Sequence, residues 1–192
     1  MSKKICVYSS SSDAVQAIFF ETAMNLGSLM AKGNHQLVYG GASVGLMGEM
    51  AKAVHKNNGY VIGVMPEGLA DKGISFENCN EFIVTKDMRE RKATMEDISD
   101  AFIAMPGGFG TLEELLEIIT GKQLSFHNKA IVLINIDGFY DKLLELFEQI
   151  YSLNFAKPVY KELYYVAENA EKAVSFIENY VPPIIEQKWY KQ

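Results

Sequence analysis

Short apolar runs alternate along the chain with longer segments in which apolar residues recur at helical spacing. The short runs predict seven strands, at residues 4–8, 36–39, 60–65, 81–85, 101–105, 130–135 and 163–167. The longer segments predict helices at residues 13–32, 87–98, 111–124, 139–151 and 170–180, with a further helix that follows the 40–48 loop and ends near residue 58. Strands that alternate with helices predict an α/β fold, a doubly wound parallel sheet with helices on both faces.

Length and composition indicate a single domain over residues 1–192, because a chain of this length with 48% hydrophobic residues can bury a sizeable core. The net charge is −6 and no block of lysines and arginines occurs, which argues against a nucleic-acid partner. No signal-peptide core and no apolar run of about 20 residues is seen, so we expect no membrane association and a cytoplasmic location. The two cysteines, Cys6 and Cys79, lack CxxC spacing and fit a reducing compartment.

Residues 101–114 combine an apolar strand, a glycine turn and the start of a helix. Pro106 ends the strand, and three glycines follow within residues 107–110. Thr111 and Glu114 have the spacing of a capping box, which predicts a helix capped by Thr111. A glycine turn at a helix N-terminus presents free backbone N–H groups and the positive end of the helix dipole, and such a junction binds phosphate. The alternative is an ordinary tight turn before a capped helix.

Two more polar loops follow predicted strands. Residues 9–12 are four consecutive serines, and residues 40–48 contain four glycines. The carboxyl ends of parallel strands meet at one edge of a sheet, so we expect these loops and the 107–111 loop on one rim, with Ser11 and Gly41 as candidate ligand contacts. The serines have the alternative role of capping the first helix. The glycine loop does not have GxGxxG spacing and follows the second strand, so no dinucleotide cofactor is predicted.

The predicted 87–98 helix places Met88, Arg91, Lys92 and Met95 on one face. The methionines indicate that this face is buried. A buried arginine needs an anionic partner, because an unpaired buried charge is very costly. The alternative is an arginine at the edge of the apolar stripe with its charged head in water. The 3 histidines of the chain show no metal-ligand spacing, so no metal site is predicted.

Residues 106–114, PGGFGTLEE, resemble the PGGxGTxEE signature of the Lonely Guy (LOG) family, some members of which carry an older lysine decarboxylase label. Residues 88–95 resemble the second signature of that family, MxxRKxxM, at the same separation from the first. Residues 39–48 and 61–66 match the family in the same order, and the resemblance covers about residues 4–155.

The resemblance implies a Rossmann-like domain that works as a homodimer and needs no cofactor. It implies hydrolysis of the N-glycosidic bond of a nucleoside 5′-monophosphate, a cytokinin riboside 5′-monophosphate or AMP, to free base and ribose 5-phosphate. Carried over by position, the catalytic pair is Arg91 and Glu113. The substrate-binding residues predicted from the resemblance and from the rim loops are Ser11, Gly41, Met88, Lys92, Gly107, Gly108, Phe109, Gly110, Thr111 and Thr120.

Cleavage of a ribosyl bond builds positive charge on the ribose. The Glu113 carboxylate would stabilise that charge or orient the attacking water, while the N–H groups of residues 108–111 would hold the 5′-phosphate. Arg91 would either pair with Glu113 or bind the phosphate, and the sequence leaves both open. One alternative function is a non-catalytic nucleotide carrier or sensor on the same fold. The other is a phosphoryl-transfer enzyme, which the lack of a Walker lysine disfavours.

Overall fold

Seven parallel strands form one sheet in the computed structural model, which describes residues 2–184. The strands are β1 (Lys4–Tyr8), β2 (Gln36–Tyr39), β3 (Tyr60–Pro66), β4 (Glu81–Thr85), β5 (Ala101–Ala104), β6 (Ala130–Ile134) and β7 (Tyr165–Ala167). Their order is β4-β3-β2-β1-β5-β6-β7, and every neighbouring pair is parallel. The predicted parallel α/β architecture is therefore confirmed.

Helices cover both faces of this sheet. They are α1 (Ala17–Lys32), α2 (Gly45–Lys56), α3 (Glu67–Ala70), α4 (Met88–Ile98), α5 (Phe109–Gln123), α6 (Asp141–Ser152) and α7 (Ala170–Glu178). Successive side chains of a strand point to opposite faces. In β1, Ile5 and Val7 belong to the core beneath α1, α2 and α7, whereas Cys6 and Tyr8 belong to the core beneath α4, α5 and α6. The sheet is thus doubly wound, as predicted.

The first helix begins at Ala17 rather than at residue 13. The Ser10 hydroxyl accepts a hydrogen bond from the Ser12 amide, and the Ser12 hydroxyl accepts one from the Ala14 amide. Such local side-chain bonds offer the backbone an alternative to the helix. The serine segment is therefore an irregular loop, and its hydroxyls do not cap α1, whose N-cap residue is Gln16.

Two further boundaries in the second half differ from the prediction. The helix predicted from residue 139 begins at Asp141, because residues 136–138 form a separate 3₁₀ turn in which Asp137 has φ = 52°. The last strand begins at Tyr165, since Pro158–Leu163 is a second 3₁₀ segment. Asn169 caps α7 as predicted, and its side chain accepts a hydrogen bond from the Lys172 amide.

The position of β1 determines where a ligand site can form. The chain leaves β1 towards β2 and later crosses over to β5 on the other side, so β1 and β5 flank the topological switch point. Both cysteines are free thiols, and Cys6 is buried in β1. Within residues 2–184, none of the helices combines the length and the hydrophobicity that crossing a bilayer requires. Residues 185–192 of the predicted domain lie outside the described part.

Candidate functional site

Three loops meet at the carboxyl-terminal edge of the sheet. The Ser10 amide donates to the Pro106 carbonyl oxygen at 3.3 Å, which joins the loop after β1 to the loop after β5. The Leu46 amide donates to the Ser10 carbonyl oxygen at 3.0 Å, which joins the start of α2 to the same segment. The predicted convergence of these loops is therefore observed, and it surrounds the switch point where ligands bind in such sheets.

The N-terminus of α2 is closed by the protein itself. The Gly45 amide donates to the Asp13 carboxylate at 2.8 Å, and the Met47 amide donates to the Ser10 carbonyl oxygen at 3.4 Å. Gly45 has φ = +60°, and a Cβ there would lie 2.6 Å from the Ser10 carbonyl oxygen. The amides that an anion would need are already bonded, so this glycine loop serves close packing rather than anion binding.

Two predicted contact residues lie in these loops. Ser11 is exposed on the rim. Gly41 is buried with φ = +76°, and a Cβ there would lie 3.0 Å from the Phe82 ring and 3.4 Å from the Met65 Cβ. The left-handed backbone and the nearby side chains explain the glycine at this position. Substrate contacts by Ser11 and Gly41 stay predictions.

The N-terminus of α5, in contrast, is open. The helix begins at Phe109, and its N-cap, Gly108, offers no side chain to its amides. Leu112 donates to the Gly108 carbonyl oxygen at 3.1 Å, but the amides of Phe109, Gly110 and Thr111 have no acceptor among residues 2–184. A Cβ at Gly108 or Gly110 would meet nothing within 4 Å. Three free amides at the positive end of a helix, with open space in front, form an anion site.

The predicted capping box is wrong, because α5 begins two residues before Thr111. Thr111 lies inside the first turn and is 5% exposed. Its hydroxyl packs so closely against Gly107 that a Cβ on Gly107 would overlap it. The other member of the predicted box, Glu114, does not fold back to the helix start but binds an arginine of α4. Gly107 is thus required by packing, whereas Gly108 faces open space.

Arg91 of α4 is buried, at 8% exposure, and two of its nitrogen atoms donate to groups of the protein. Its Nη1 donates to Glu114 Oε1 at 2.8 Å, and its Nε donates to the Val64 carbonyl oxygen at 3.1 Å. Its Nη2 lies where a Cβ of Gly40 would be, so the glycine that ends β2 makes room for the guanidinium. The alternative of an arginine head in water is therefore wrong, and the partner is a carboxylate.

That carboxylate is Glu114 and not its neighbour. Glu114 is 9% exposed, and burial raises its pKa above the usual value while the Arg91 guanidinium opposes the shift. Successive residues of a helix point about 100° apart, so a doublet of acids cannot share one partner face. The doublet in the sequence signalled an acid at this place, but only the rotation of α5 shows which of the two meets Arg91.

Glu113 lies on the exposed side of α5, with 58% of its side chain accessible. It pairs with Lys92, which also binds Glu117 at 2.9 Å, and the hydrogen bond to Glu113 raises the pKa of Lys92. Thr120 is exposed on the same helical face, seven residues after Glu113. The structure thus joins Glu113 to Lys92 beside the buried Arg91–Glu114 pair, whereas Thr120 lies about two turns further along α5 and its substrate contact stays a prediction.

Large apolar side chains are exposed around this site. Met88 is 47% exposed, so its predicted burial is wrong, although Met95 on the same helix is completely buried. Met88 begins α4 and lies beyond the part of the helix that packs on the sheet. Phe109 is 92% exposed and Leu116 is 43% exposed. These side chains lie on α4 and α5, the two helices that the Lys92–Glu113 pair joins, and exposed apolar side chains can mark an interaction surface.

Beyond the rim loops, the described residues could offer two other kinds of site, a metal site or a separate cleft. No group of three or more His, Cys, Asp or Glu side chains within residues 2–184 is arranged to hold a metal ion. A wide cleft of about 680 Å³ includes Lys3, Asp100 and Lys129, but these residues precede β1, β5 and β6 and so lie at the opposite edge of the sheet. This cleft is therefore separate from the rim on which the predicted site residues lie.

The chain is similar to characterised proteins over almost its whole length. The family described as "Possible lysine decarboxylase" matches residues 47–177. Cytokinin riboside 5′-monophosphate phosphoribohydrolase LOG5 of Arabidopsis thaliana is 42% identical over 180 residues, which is 94% of this chain and 79% of that protein. LOG3 of the same plant, which carries the same enzyme name, is 41% identical over 94% of this chain and 84% of that protein.

Solved structures match the fold at lower identity. The Moco carrier protein from Chlamydomonas reinhardtii superposes with a TM-score of 0.69 and 24% identity, over 93% of this chain and 96% of that chain. The molybdenum cofactor binding protein from Rippkaea orientalis gives a TM-score of 0.68 and 22% identity, over 91% of this chain and 93% of that chain. At this identity the likeness shows the shared fold alone.

Proposed function

The chain belongs to the Lonely Guy family of cytokinin riboside 5′-monophosphate phosphoribohydrolases, and from this premise we propose that it hydrolyses the N-glycosidic bond of nucleoside 5′-monophosphates. The products are the free base and ribose 5-phosphate. The substrates we propose are cytokinin riboside 5′-monophosphates and AMP.

The open N-terminus of α5 is the observation that carries this proposal. Its three free amides supply hydrogen bonds to a phosphate, and the helix dipole adds a favourable field. The acids of α5 begin at Glu113, one turn further along the same helix. A phosphate held at the helix start therefore places the sugar of a nucleotide beside carboxylates, which is the arrangement that ribosyl cleavage needs.

Two acids compete for the catalytic role. Glu113 is the acid that the family resemblance predicted, and this assignment stays a prediction. The geometry supports Glu114 better, because it is buried, has a raised pKa and is fixed by Arg91 at 2.8 Å. A fixed carboxylate in a water-poor site stabilises developing positive charge far more than an exposed one. We therefore assign the electrostatic role to Glu114, with Arg91 as the group that holds it.

The reaction follows from these positions. As the bond between C1′ and the base nitrogen lengthens, the Glu114 carboxylate stabilises the positive charge on the ribose. A water molecule adds its oxygen to C1′ and gives up one proton, and the departing base takes up one proton. Lys92 and Thr120 are proposed to contact the substrate on the exposed face of α5, and Lys92 is kept protonated by Glu113 and Glu117.

A homodimer and a cytoplasmic location form part of the same proposal. Met88, Phe109 and Leu116 are exposed apolar side chains next to the site, and a second copy of the chain would cover them. The two free thiols fit a reducing compartment. Light scattering coupled to size-exclusion chromatography measures the mass directly, and a monomer at micromolar concentration would contradict the dimer.

The function is tested with purified protein incubated separately with AMP, isopentenyladenosine monophosphate and the two matching nucleosides. Released base is separated by chromatography, and binding is measured in parallel by calorimetry. We expect base from the monophosphates and far less from the nucleosides. Monophosphate binding without base release would instead support a nucleotide carrier or sensor. If the protein shows neither binding of the monophosphates nor release of base, the phosphate site itself is refuted.

A further inference from the structure

The backbone just before the glycine turn is held by a side chain from a distant part of the chain. The ladder of β5 ends at Ala104, which pairs with Tyr8 and Leu133. Met105 follows, completely buried, and its carbonyl oxygen accepts a hydrogen bond from the Tyr140 hydroxyl at 2.7 Å. This is the only bond to that carbonyl oxygen within the described range 2–184. Without the phenol, a buried backbone acceptor would lose its partner.

Tyr140 is itself rigidly placed. It is 1% exposed, and its amide donates to Asn135 Oδ1 at 2.7 Å. The Asn135 side chain in turn donates to Asp141 Oδ1 at 2.7 Å, at the start of α6. Burial raises the pKa of the Tyr140 hydroxyl, so the group keeps its proton and acts as a donor. The Tyr140 hydroxyl is therefore held in one place, from which it donates a hydrogen bond to the backbone before the glycine turn.

The segment that this bond controls is short and intrinsically flexible. Pro106 has no N–H to donate, and Gly107 and Gly108 follow before the first residue of α5, Phe109. Two backbone hydrogen bonds also hold this side of the turn, from the Met105 amide to the Tyr8 carbonyl oxygen at 2.9 Å and from the Ser10 amide to the Pro106 carbonyl oxygen at 3.3 Å. Both join the turn to β1 and the loop after it, whereas the Tyr140 bond fixes the Met105 carbonyl from the side of α6. The direction of the glycine turn therefore depends in part on that bond.

We propose that Tyr140 is a positioning residue for phosphate recognition, which its hydroxyl serves by fixing the Met105 carbonyl and so directing the free amides of α5 at the 5′-phosphate. The inference rests on the proposed function, since it needs a phosphate at α5. On this proposal, the buried Tyr140 hydroxyl helps the protein to distinguish a nucleotide from a nucleoside, although Tyr140 is remote in sequence from the glycine turn.

The test compares Tyr140→Phe with Tyr160→Phe. Tyr160 is equally suited to the change, because it is 3% exposed and its hydroxyl has no hydrogen-bond partner among the residues that the structure describes. Kinetic constants are measured with AMP, and calorimetry measures the Kd for ribose 5-phosphate. For Tyr140→Phe we expect KM and Kd to rise about tenfold, equivalent to about 1.4 kcal/mol, with kcat within about twofold. Tyr160→Phe should match the wild type in all three constants.

A second variant protects the test against poor folding of the first. Asn135→Ala keeps the phenol but removes the acceptor that orients the Tyr140 backbone, and Asn135 is only partly buried. It should raise KM for AMP in the same direction by a smaller factor. Hydrolysis of adenosine, which has no phosphate, should not change in either variant.

The outcomes separate this inference from the function on which it rests. If the wild type binds and cleaves AMP and Tyr140→Phe does so with the same KM and Kd, the positioning role is refuted. A fall in kcat or in melting temperature with unchanged KM would also refute it, because that pattern indicates a purely structural or catalytic effect. If the wild type neither binds nor cleaves AMP, the proposed function fails, and the inference fails with it.

Discussion

Replacing Glu114 by glutamine examines the buried ion pair at the centre of the proposed mechanism. Glutamine keeps the size of the side chain and removes its charge. The Arg91 guanidinium, 8% exposed, would then remain buried without an anionic partner. Removal of one member of a buried pair costs about 3–5 kcal/mol. For a chain of this length we expect the melting temperature to fall by about 6–20 °C.

The neighbouring Glu113→Gln is the matched control. Glu113 has 58% of its side chain exposed, and exposed ion pairs contribute about 0–1 kcal/mol. Its melting temperature should therefore stay within about 4 °C of the wild type. The same chemical change, moved by one residue around the helix, separates a buried charge from an exposed one.

Turnover of AMP at 20 °C, where both variants should be folded by circular dichroism, distinguishes the two acids. We expect Glu114→Gln to lower kcat by about 100-fold or more, the scale of a positioned acid or base, with ribose 5-phosphate still bound. Glu113→Gln should lower kcat by less than about tenfold. A large loss of kcat in Glu113→Gln with near-normal turnover in Glu114→Gln would refute our argument from burial and restore the assignment that the family resemblance predicted.

Four other predictions follow from the structure. Burial raises the pKa of Glu114 above its ordinary value of 4.5, and the mechanism needs the carboxylate ionised. We therefore expect kcat to fall as the pH drops through a value above 4.5. A pH profile of kcat with its midpoint below 4.5 would contradict this prediction. Gly108→Val fills the open space before α5, so it should weaken AMP binding by about tenfold or more with little change in melting temperature. Gly45→Ala should destabilise the fold by about 1–3 kcal/mol and leave AMP binding unchanged, because Gly45 has a positive φ and a Cβ there would contact Ser10. Equal effects of Gly108→Val and Gly45→Ala on AMP binding would show that both glycine loops hold the ligand. Burial lowers the pKa of Lys122 from 10.5 to about 8, so between pH 8 and 10.5 the unfolded chain binds more protons at this lysine and its contribution to stability rises with pH. The stability of wild type minus that of Lys122→Met, from denaturant titrations across this range, should therefore increase, and a flat difference would exclude the shift.

The order of elements was accessible from the sequence because apolar runs and helical spacing are local properties. The roles of the two glycine loops were accessible only in part. The sequence predicted an anion site at residues 107–111 and a ligand contact at Gly41, but it gave no sign that Asp13 and Ser10, about 30 residues away, occupy the amides at the end of the 40–48 loop. Local pattern cannot show which polar groups a distant segment delivers.

The contact between Glu114 and Arg91, on which our proposed assignment of the acid depends, was not predicted for a related reason. The spacing of Thr111 and Glu114 suggested a local capping box, yet Glu114 binds Arg91 from another helix. The start of α5 at Phe109 decided the matter, because it places Thr111 inside the helix and leaves Gly108 as the N-cap. Helix boundaries are the least certain part of a prediction from sequence, and here a shift of two residues changed the role of an acid.

The central position of β1 has a consequence for synthesis of the chain. Ile5 pairs with Leu37 on one side but with Ala101 on the other, so one edge of this apolar strand has no native partner until about a hundred residues have been added. At about 5–20 residues per second the ribosome needs roughly 5–20 s for this interval. An unpaired apolar edge is a template for aggregation. The strand from which the first loop of the candidate site begins therefore also leaves one edge of the nascent chain exposed to mispairing for several seconds.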